Sequence, residues 1–78
     1  MTKLESLNEK AKQLVNKEDY AGADKLFQKI ISLEPNNPEN FYYHAIILLQ
    51  LNKFEDSENA INQAISLDSD DPEYYLHL

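Results

Sequence analysis

The amino-acid sequence predicts an all-α fold built from antiparallel helix hairpins. Apolar residues recur every three or four positions, short turn signals separate the apolar segments, and the sequence repeats itself at an offset of 34 residues. The offset aligns residues 33–44 with residues 67–78 and places Pro38 against Pro72. A fixed period of this length indicates a stack of one supersecondary unit that is too small to bury its own apolar face.

The first hairpin is predicted from two amphipathic segments that begin at capping residues. Thr2 and Glu5 have the spacing of a capping box, and the helix that follows is expected to end near Asn16. Asp19 is expected to cap the second helix, and Gly22 in its first turn is expected to allow close approach of the neighbouring helix. The apolar stripes of both helices have helical spacing. They consist of Leu4, Leu7, Ala11, Leu14 and Val15, followed by Tyr20, Ala23, Phe27, Ile30, Ile31 and Leu33.

The second hairpin is predicted to start at the segment 37–39, Asn-Pro-Glu. This segment combines an Asx cap, a proline at the first helical position and an acid that faces the positive end of the helix dipole. The third helix is expected to reach about Leu51, and a fourth to follow Asn52 and Lys53. Residues 71–73, Asp-Pro-Glu, repeat the same start signal for a further helix.

Composition and charge exclude several classes of function. The chain has no cysteine and one glycine, so it offers neither a thiolate metal site nor a glycine-rich phosphate loop. Residues 38–78 hold one lysine and eight acids, which account for the whole net charge of −7. Such a surface repels phosphates, so neither nucleic acid nor a membrane is an expected partner. No segment resembles a signal peptide or a membrane span, and a cytoplasmic protein is expected.

No arrangement of residues suggests catalysis, and no cofactor or metal is expected. The hydroxyl side chains lie on helices or turns without a histidine at a suitable spacing. His44 and His77 are 33 residues apart and therefore do not occupy equivalent positions. His44 is interpreted as a partly buried structural histidine with a hydrogen-bond partner, and a pH sensor is the alternative. The protein is expected not to be an enzyme.

The period and the alternation of small and large residues resemble the tetratricopeptide repeat. In the first copy the family's signature series falls on Leu7, Lys10, Ala11, Leu14, Tyr20, Ala23, Phe27, Ile30 and Pro35. In the second copy it falls on Phe41, His44, Ala45, Leu48, Phe54, Ser57, Ile61, Ala64 and Ser69. Lys10 and His44 stand where the family usually has leucine, and Ser69 replaces the closing proline. The small residues Ala11, Ala23, Ala45 and Ser57 are expected where two helices cross closely.

This resemblance implies one domain, residues 1–78, divided into repeat 1 at 4–37, repeat 2 at 38–71 and a partial third copy at 72–78. It also implies a right-handed α-solenoid. The concave groove of such a solenoid is lined by the first helix of each hairpin and holds a peptide or a partner helix, without catalysis.

The third helix is apolar on every side, and this determines the predicted groove. One stripe belongs to the core, and Tyr43 and Ile47 are expected to pack against the preceding hairpin. The remaining stripe consists of Tyr42, Ile46 and Leu49, and it is the one that the family's geometry turns toward the groove. Carried by one repeat in each direction, it gives the predicted partner-binding residues Asn8, Lys12, Val15, Tyr42, Ile46, Leu49 and Leu76. The alternative is that the next helix simply covers this stripe.

The resulting functional prediction is a protein–protein interaction module of the scaffold or adaptor type. Its expected partner is a protein or peptide of basic or apolar character. One alternative is a homodimer formed through the third helix and the C-terminal residues Tyr74, Tyr75, Leu76 and Leu78. Another is that the chain is a fragment of a longer repeat array.

Overall fold

The structure, a computed structural model, describes residues 2–70 and contains four α-helices within that range. They are α1 (Lys3–Asn16), α2 (Tyr20–Leu33), α3 (Pro38–Gln50) and α4 (Phe54–Leu67). Each helix packs against the next one along the chain. Because the connections are short, consecutive helices are antiparallel and form two stacked hairpins. The predicted all-α architecture is confirmed.

The first three helices each begin at a residue whose side chain caps the helix. Thr2, Asp19 and Asn37 accept a hydrogen bond from a backbone N–H group in the first turn, at 3.0–3.1 Å. Each such cap contributes about 1 kcal/mol to helix stability. All three predicted caps are confirmed, whereas α4 begins after Lys53 without a side-chain cap.

The turns inside the two hairpins have the same geometry. Glu18 and Asn52, one repeat apart, both adopt left-handed backbone conformations, with φ of 60° and 62°. In each turn the following N–H group bonds back to the helix, from Asp19 to Leu14 O and from Lys53 to Leu48 O, both at 2.9 Å. The repeat is therefore present in the backbone as well as in the sequence.

Replacing Glu18 by glycine is expected to raise the free energy of unfolding by up to about 1 kcal/mol. Relief of the left-handed strain is worth about 1–2 kcal/mol, and the greater freedom of glycine in the unfolded chain offsets about 0.5–1 kcal/mol. Asn52→Gly should gain less, because asparagine tolerates this conformation. Urea denaturation of both variants tests the prediction, and a larger gain at Asn52 would contradict it.

Two buried clusters form the core, and α3 contributes to both. The first joins α1, α2 and α3 and consists of Ala11, Ala23, Phe27, Ile30 and Ile47. The second joins α3 and α4 and consists of Ala45, Leu48, Ala60, Ile61 and Ala64. The predicted packing of Ile47 against the preceding hairpin is confirmed.

The small residues lie where the helices approach each other closely. Ala11, Ala23, Ala45 and Ser57 are all buried, as expected at helix crossings. The Ser57 hydroxyl on α4 donates a hydrogen bond of 2.8 Å to the Ala45 backbone carbonyl on α3. A side chain this short can make that bond only because the two helices lie close together.

Gly22 is a small residue for a different reason from the one predicted. A Cβ atom at Gly22 would lie 2.6 Å from Asp19 Oδ2, the carboxylate that caps the same helix. The close neighbour is therefore the cap of α2 itself. The three nearest atoms all belong to Asp19 and none to a neighbouring helix, which differs from the predicted reason for a glycine here.

Candidate functional site

A cleft of about 590 Å³ opens between α1 and α3. α2 packs against both of these helices, while α1 and α3 make few direct contacts with each other. The floor of the cleft is apolar and is formed by Ala11, Phe27 and Ile47. The volume lies within the usual range of small-ligand pockets, about 300–1,000 Å³, so the cleft can accept one or two side chains of a partner.

The α1 wall of the cleft carries the residues that the sequence predicted on this helix. Asn8, Lys12 and Val15 all line the cleft, together with Asn16. Asn8 and Val15 are half-buried and Lys12 is exposed. Polar amides and one charge thus stand above an apolar floor on this side.

The α3 wall is formed by a different stripe from the one predicted. Tyr43 and Ile47 line the cleft, and Tyr43 is 48% exposed rather than covered by the preceding hairpin. Tyr42, Ile46 and Leu49 do not line it and are half-buried.

Packing contacts explain why part of the predicted groove stripe of α3 is half-buried. Tyr42 packs against the second core cluster, and its ring lies 5.5 Å from the ring of Tyr43. The stripe therefore lies beside the cleft, about 100° further round α3. Leu76, Tyr74, Tyr75 and Leu78 lie outside the described residues.

The α2–α3 turn closes one end of the cleft and is acidic. Glu34 and Glu39 both line this end, together with Asn37 and Asn40. The amide of the buried Asn40 donates a hydrogen bond of 3.2 Å to Glu34 Oε1. Glu34 is thereby held in place, while Glu39 is exposed in the first turn of α3.

A buried carboxylate joins the two hairpins on the other side of Phe27. Asp24 Oδ1 lies 2.6 Å from His44 Nε2 and accepts a hydrogen bond of 3.1 Å from Gln28, while Lys53 Nζ lies 3.3 Å from Asp24 Oδ2. The ring of Phe27 stacks on His44 at a centroid distance of 6.4 Å. His44 is thus a half-buried histidine with a hydrogen-bond partner, as the sequence predicted.

The surroundings of Asp24 favour its charged form. Burial raises the pKa of Asp24, but hydrogen bonds from His44, Gln28 and Lys53, with the charge of His44, outweigh it and hold the pKa below the usual 3.8. The sequence pattern alone did not single out Asp24. The available signal was an acid on the core face of α2, four residues after Tyr20 and three before Phe27.

A metal site requires a group of ligating side chains, and a membrane-spanning helix requires length and apolar character. Residues 2–70 contain no group of three or more histidine, cysteine, aspartate or glutamate side chains that could hold a metal ion. No helix among these residues is both long enough and apolar enough to cross a membrane. The residues that line the cleft offer apolar contact, amide hydrogen bonds and charge.

The helix hairpins and the cleft between their first helices define a helical-repeat module. A family model for the tetratricopeptide repeat matches residues 9–77, which is most of the chain. The protein belongs to the tetratricopeptide repeat family, as its sequence pattern indicated. No curated protein and no solved structure matches the chain significantly. Domains of this family generally bind protein partners.

Proposed function

We propose that this protein is an interaction module that binds a peptide segment of a partner protein in the cleft between α1 and α3. One observation carries the proposal: the cleft has an apolar floor, and the half-exposed Tyr43 forms part of its wall. Tyrosine at such a position supplies a large contact area at small entropic cost, and it is enriched among residues that dominate binding energy. An adaptor or scaffold role follows if the partner is part of an assembly.

The proposed surface continues from the cleft onto the neighbouring face of α3. By helical geometry, Tyr42 lies one turn after Glu39 on this helix, and Ile46 and Leu49 follow along the same face. All three side chains are half-buried, so a peptide seated on Tyr43 would reach part of their surface. Asn8, Lys12 and Val15 supply the opposite wall.

A test begins with the selection of peptides from a random display library against the immobilised intact protein. The tightest peptide is then titrated against the wild type and against Tyr43→Ala. The variant is expected to weaken binding at least about tenfold, a loss of about 1.4 kcal/mol. Leu49→Ala measures how far the binding surface extends over α3.

Phe54→Ala is the matched control for Tyr43→Ala. Phe54 is an aromatic residue that is 63% exposed on α4 and lies outside the cleft. Its replacement should leave affinity within about twofold, with the far-UV helical signal unchanged in both variants. Equal losses for both variants, or no loss at Tyr43, would refute a binding site in this cleft.

A further inference from the structure

The end of the cleft at the α2–α3 turn is electrically distinct from the rest. Glu34 and Glu39 both line it, and Lys12, further along on α1, is the basic residue among the described residues that line the cleft. The negative end of the α2 dipole and the positive end of the α3 dipole both lie at this turn and offset each other, so the two carboxylates determine its charge. This end therefore attracts a cation.

Glu34 is placed to receive a cationic side chain from a ligand. Its Oε1 atom accepts the amide hydrogen bond of Asn40 and a longer one of 3.5 Å from Asn37. The hydrogen bonds to Glu34 both go to Oε1, and no side-chain oxygen or nitrogen is buried without a partner in residues 2–70, so Oε2 is not fully buried. A lysine or arginine can reach this oxygen and the exposed Glu39 without displacing an existing bond, and a charge-assisted hydrogen bond is about twice as strong as a neutral one.

The α1 wall offers groups that suit a peptide backbone. The side-chain amides of Asn8 and Asn16 make no hydrogen bond with the rest of the described residues. Each amide can both donate and accept. An extended segment has free backbone N–H and C=O groups to pair with them, whereas most of the backbone groups of a helix are already paired.

We infer that the occupant of this cleft is an extended basic segment. One apolar side chain of the segment rests on Phe27 and Ile47, and a neighbouring lysine or arginine lies between Glu34 and Glu39. This inference rests on the function proposed above, since it names the chemistry of the partner at the same cleft. The acidic end of the cleft selects a ligand with a basic residue, and the apolar floor binds the apolar side chain.

The probes are capped octapeptides with one central leucine in a background of Ser, Gly and Pro. The proline prevents helix formation. In each peptide one position beside the leucine is Arg, Gln or Glu, and separate peptides place this residue at each of the positions beside the leucine. Binding is followed through the backbone amide resonances of residues 8–16 and 39–47 in the intact ¹⁵N-labelled protein. The best Arg peptide is expected to bind at least about fivefold more tightly than its Glu counterpart, and less tightly at high salt.

Variants with a matched control assign the preference to this end of the cleft. Glu39→Gln should reduce the ratio of the affinities for the Arg and Glu peptides at least about threefold. Glu55→Gln should leave it unchanged, because Glu55 is also an exposed acid in the first turn of its helix but lies outside the cleft. The two variants have the same net charge, so a general electrostatic effect would change both alike.

The outcomes separate this inference from the function on which it rests. If the Gln peptides perturb the cleft resonances as strongly as the Arg peptides, the basic partner is refuted and the peptide groove stands. If Glu39→Gln and Glu55→Gln reduce the ratio equally, the acidic end is not the determinant. A second set of peptides with the same charge has alanine in place of proline and glycine, so that its members can form a helix. If only this second set binds, the extended conformation is wrong. If no peptide perturbs these resonances and library selection also fails, the proposed function itself fails.

Discussion

Replacing Ile30 by alanine is expected to lower the free energy of unfolding by about 2–5 kcal/mol. The side chain is fully buried at the centre of the cluster that joins α1, α2 and α3. Its removal loses apolar burial and leaves a cavity that the packed helices can close only in part. Ordinary domains unfold with about 5–15 kcal/mol, and a chain of 78 residues is at the low end of that range. A large fraction of the molecules would therefore unfold at moderate temperature.

Leu33→Ala is the control for Ile30→Ala. Leu33 lies three residues later on the same helix and is 49% exposed. Its replacement should change the free energy of unfolding by no more than about 0.5 kcal/mol. Urea denaturation followed by far-UV circular dichroism measures both. Similar losses for the two variants would mean that the core does not centre on the cluster around Ile30.

Replacing Asp24 by asparagine is expected to cost about 1–3 kcal/mol at neutral pH and much less in acid. At neutral pH the variant loses the charged acceptor of His44 and Lys53 within a buried site. The pKa of Asp24 is lowered in the folded protein, so between the folded and unfolded values the unfolded chain binds more protons. The stabilisation is thus fully present above the unfolded value of about 3.9 and is lost as pH falls through the folded pKa.

The measurement is the difference in free energy of unfolding between the wild type and Asp24→Asn from pH 5 to pH 2. The difference isolates Asp24 from the other carboxylates, which titrate in both proteins. It should shrink steadily as pH falls. A difference that stays constant over this range would show that the charge of Asp24 does not contribute. Glu58→Gln, which changes an exposed acid beyond the first turn of α4, should show little difference in the same measurement.

The sequence predicts the helices and their ends well, because these features depend on local chemistry. The caps at Thr2, Asp19 and Asn37 act within one helical turn, so the residues involved are close together in the sequence. The buried stripe of α2 and the small residues at the crossings follow the helical period. The placement of Asn8, Lys12 and Val15 on one face of α1 was predicted by carrying the stripe of α3 back by one repeat, because equivalent positions of a repeat lie on equivalent faces.

The α3 wall and the site at Asp24 could not be predicted in this way. α3 is apolar on all sides, so the sequence alone does not determine whether Tyr42 or Tyr43 faces the cleft. A rotation of α3 by 100° about its axis separates the two arrangements, and that rotation is set by packing against α2 and α4 together. The contacts of Asp24 join it to residues 20 and 29 positions away on other elements. No local pattern encodes such distant pairs.

The membership of Ile47 in the first core cluster has a consequence for cooperativity. The predicted first repeat ends before Pro38, but the first cluster includes Ile47, which belongs to the predicted second repeat. The buried clusters are therefore out of phase with the sequence repeats, and the two clusters share α3. The cleft lies on this shared joint. A ligand that binds there contacts both hairpins. Because it binds only when the hairpins are packed together, its binding raises the free energy needed to separate or unfold them.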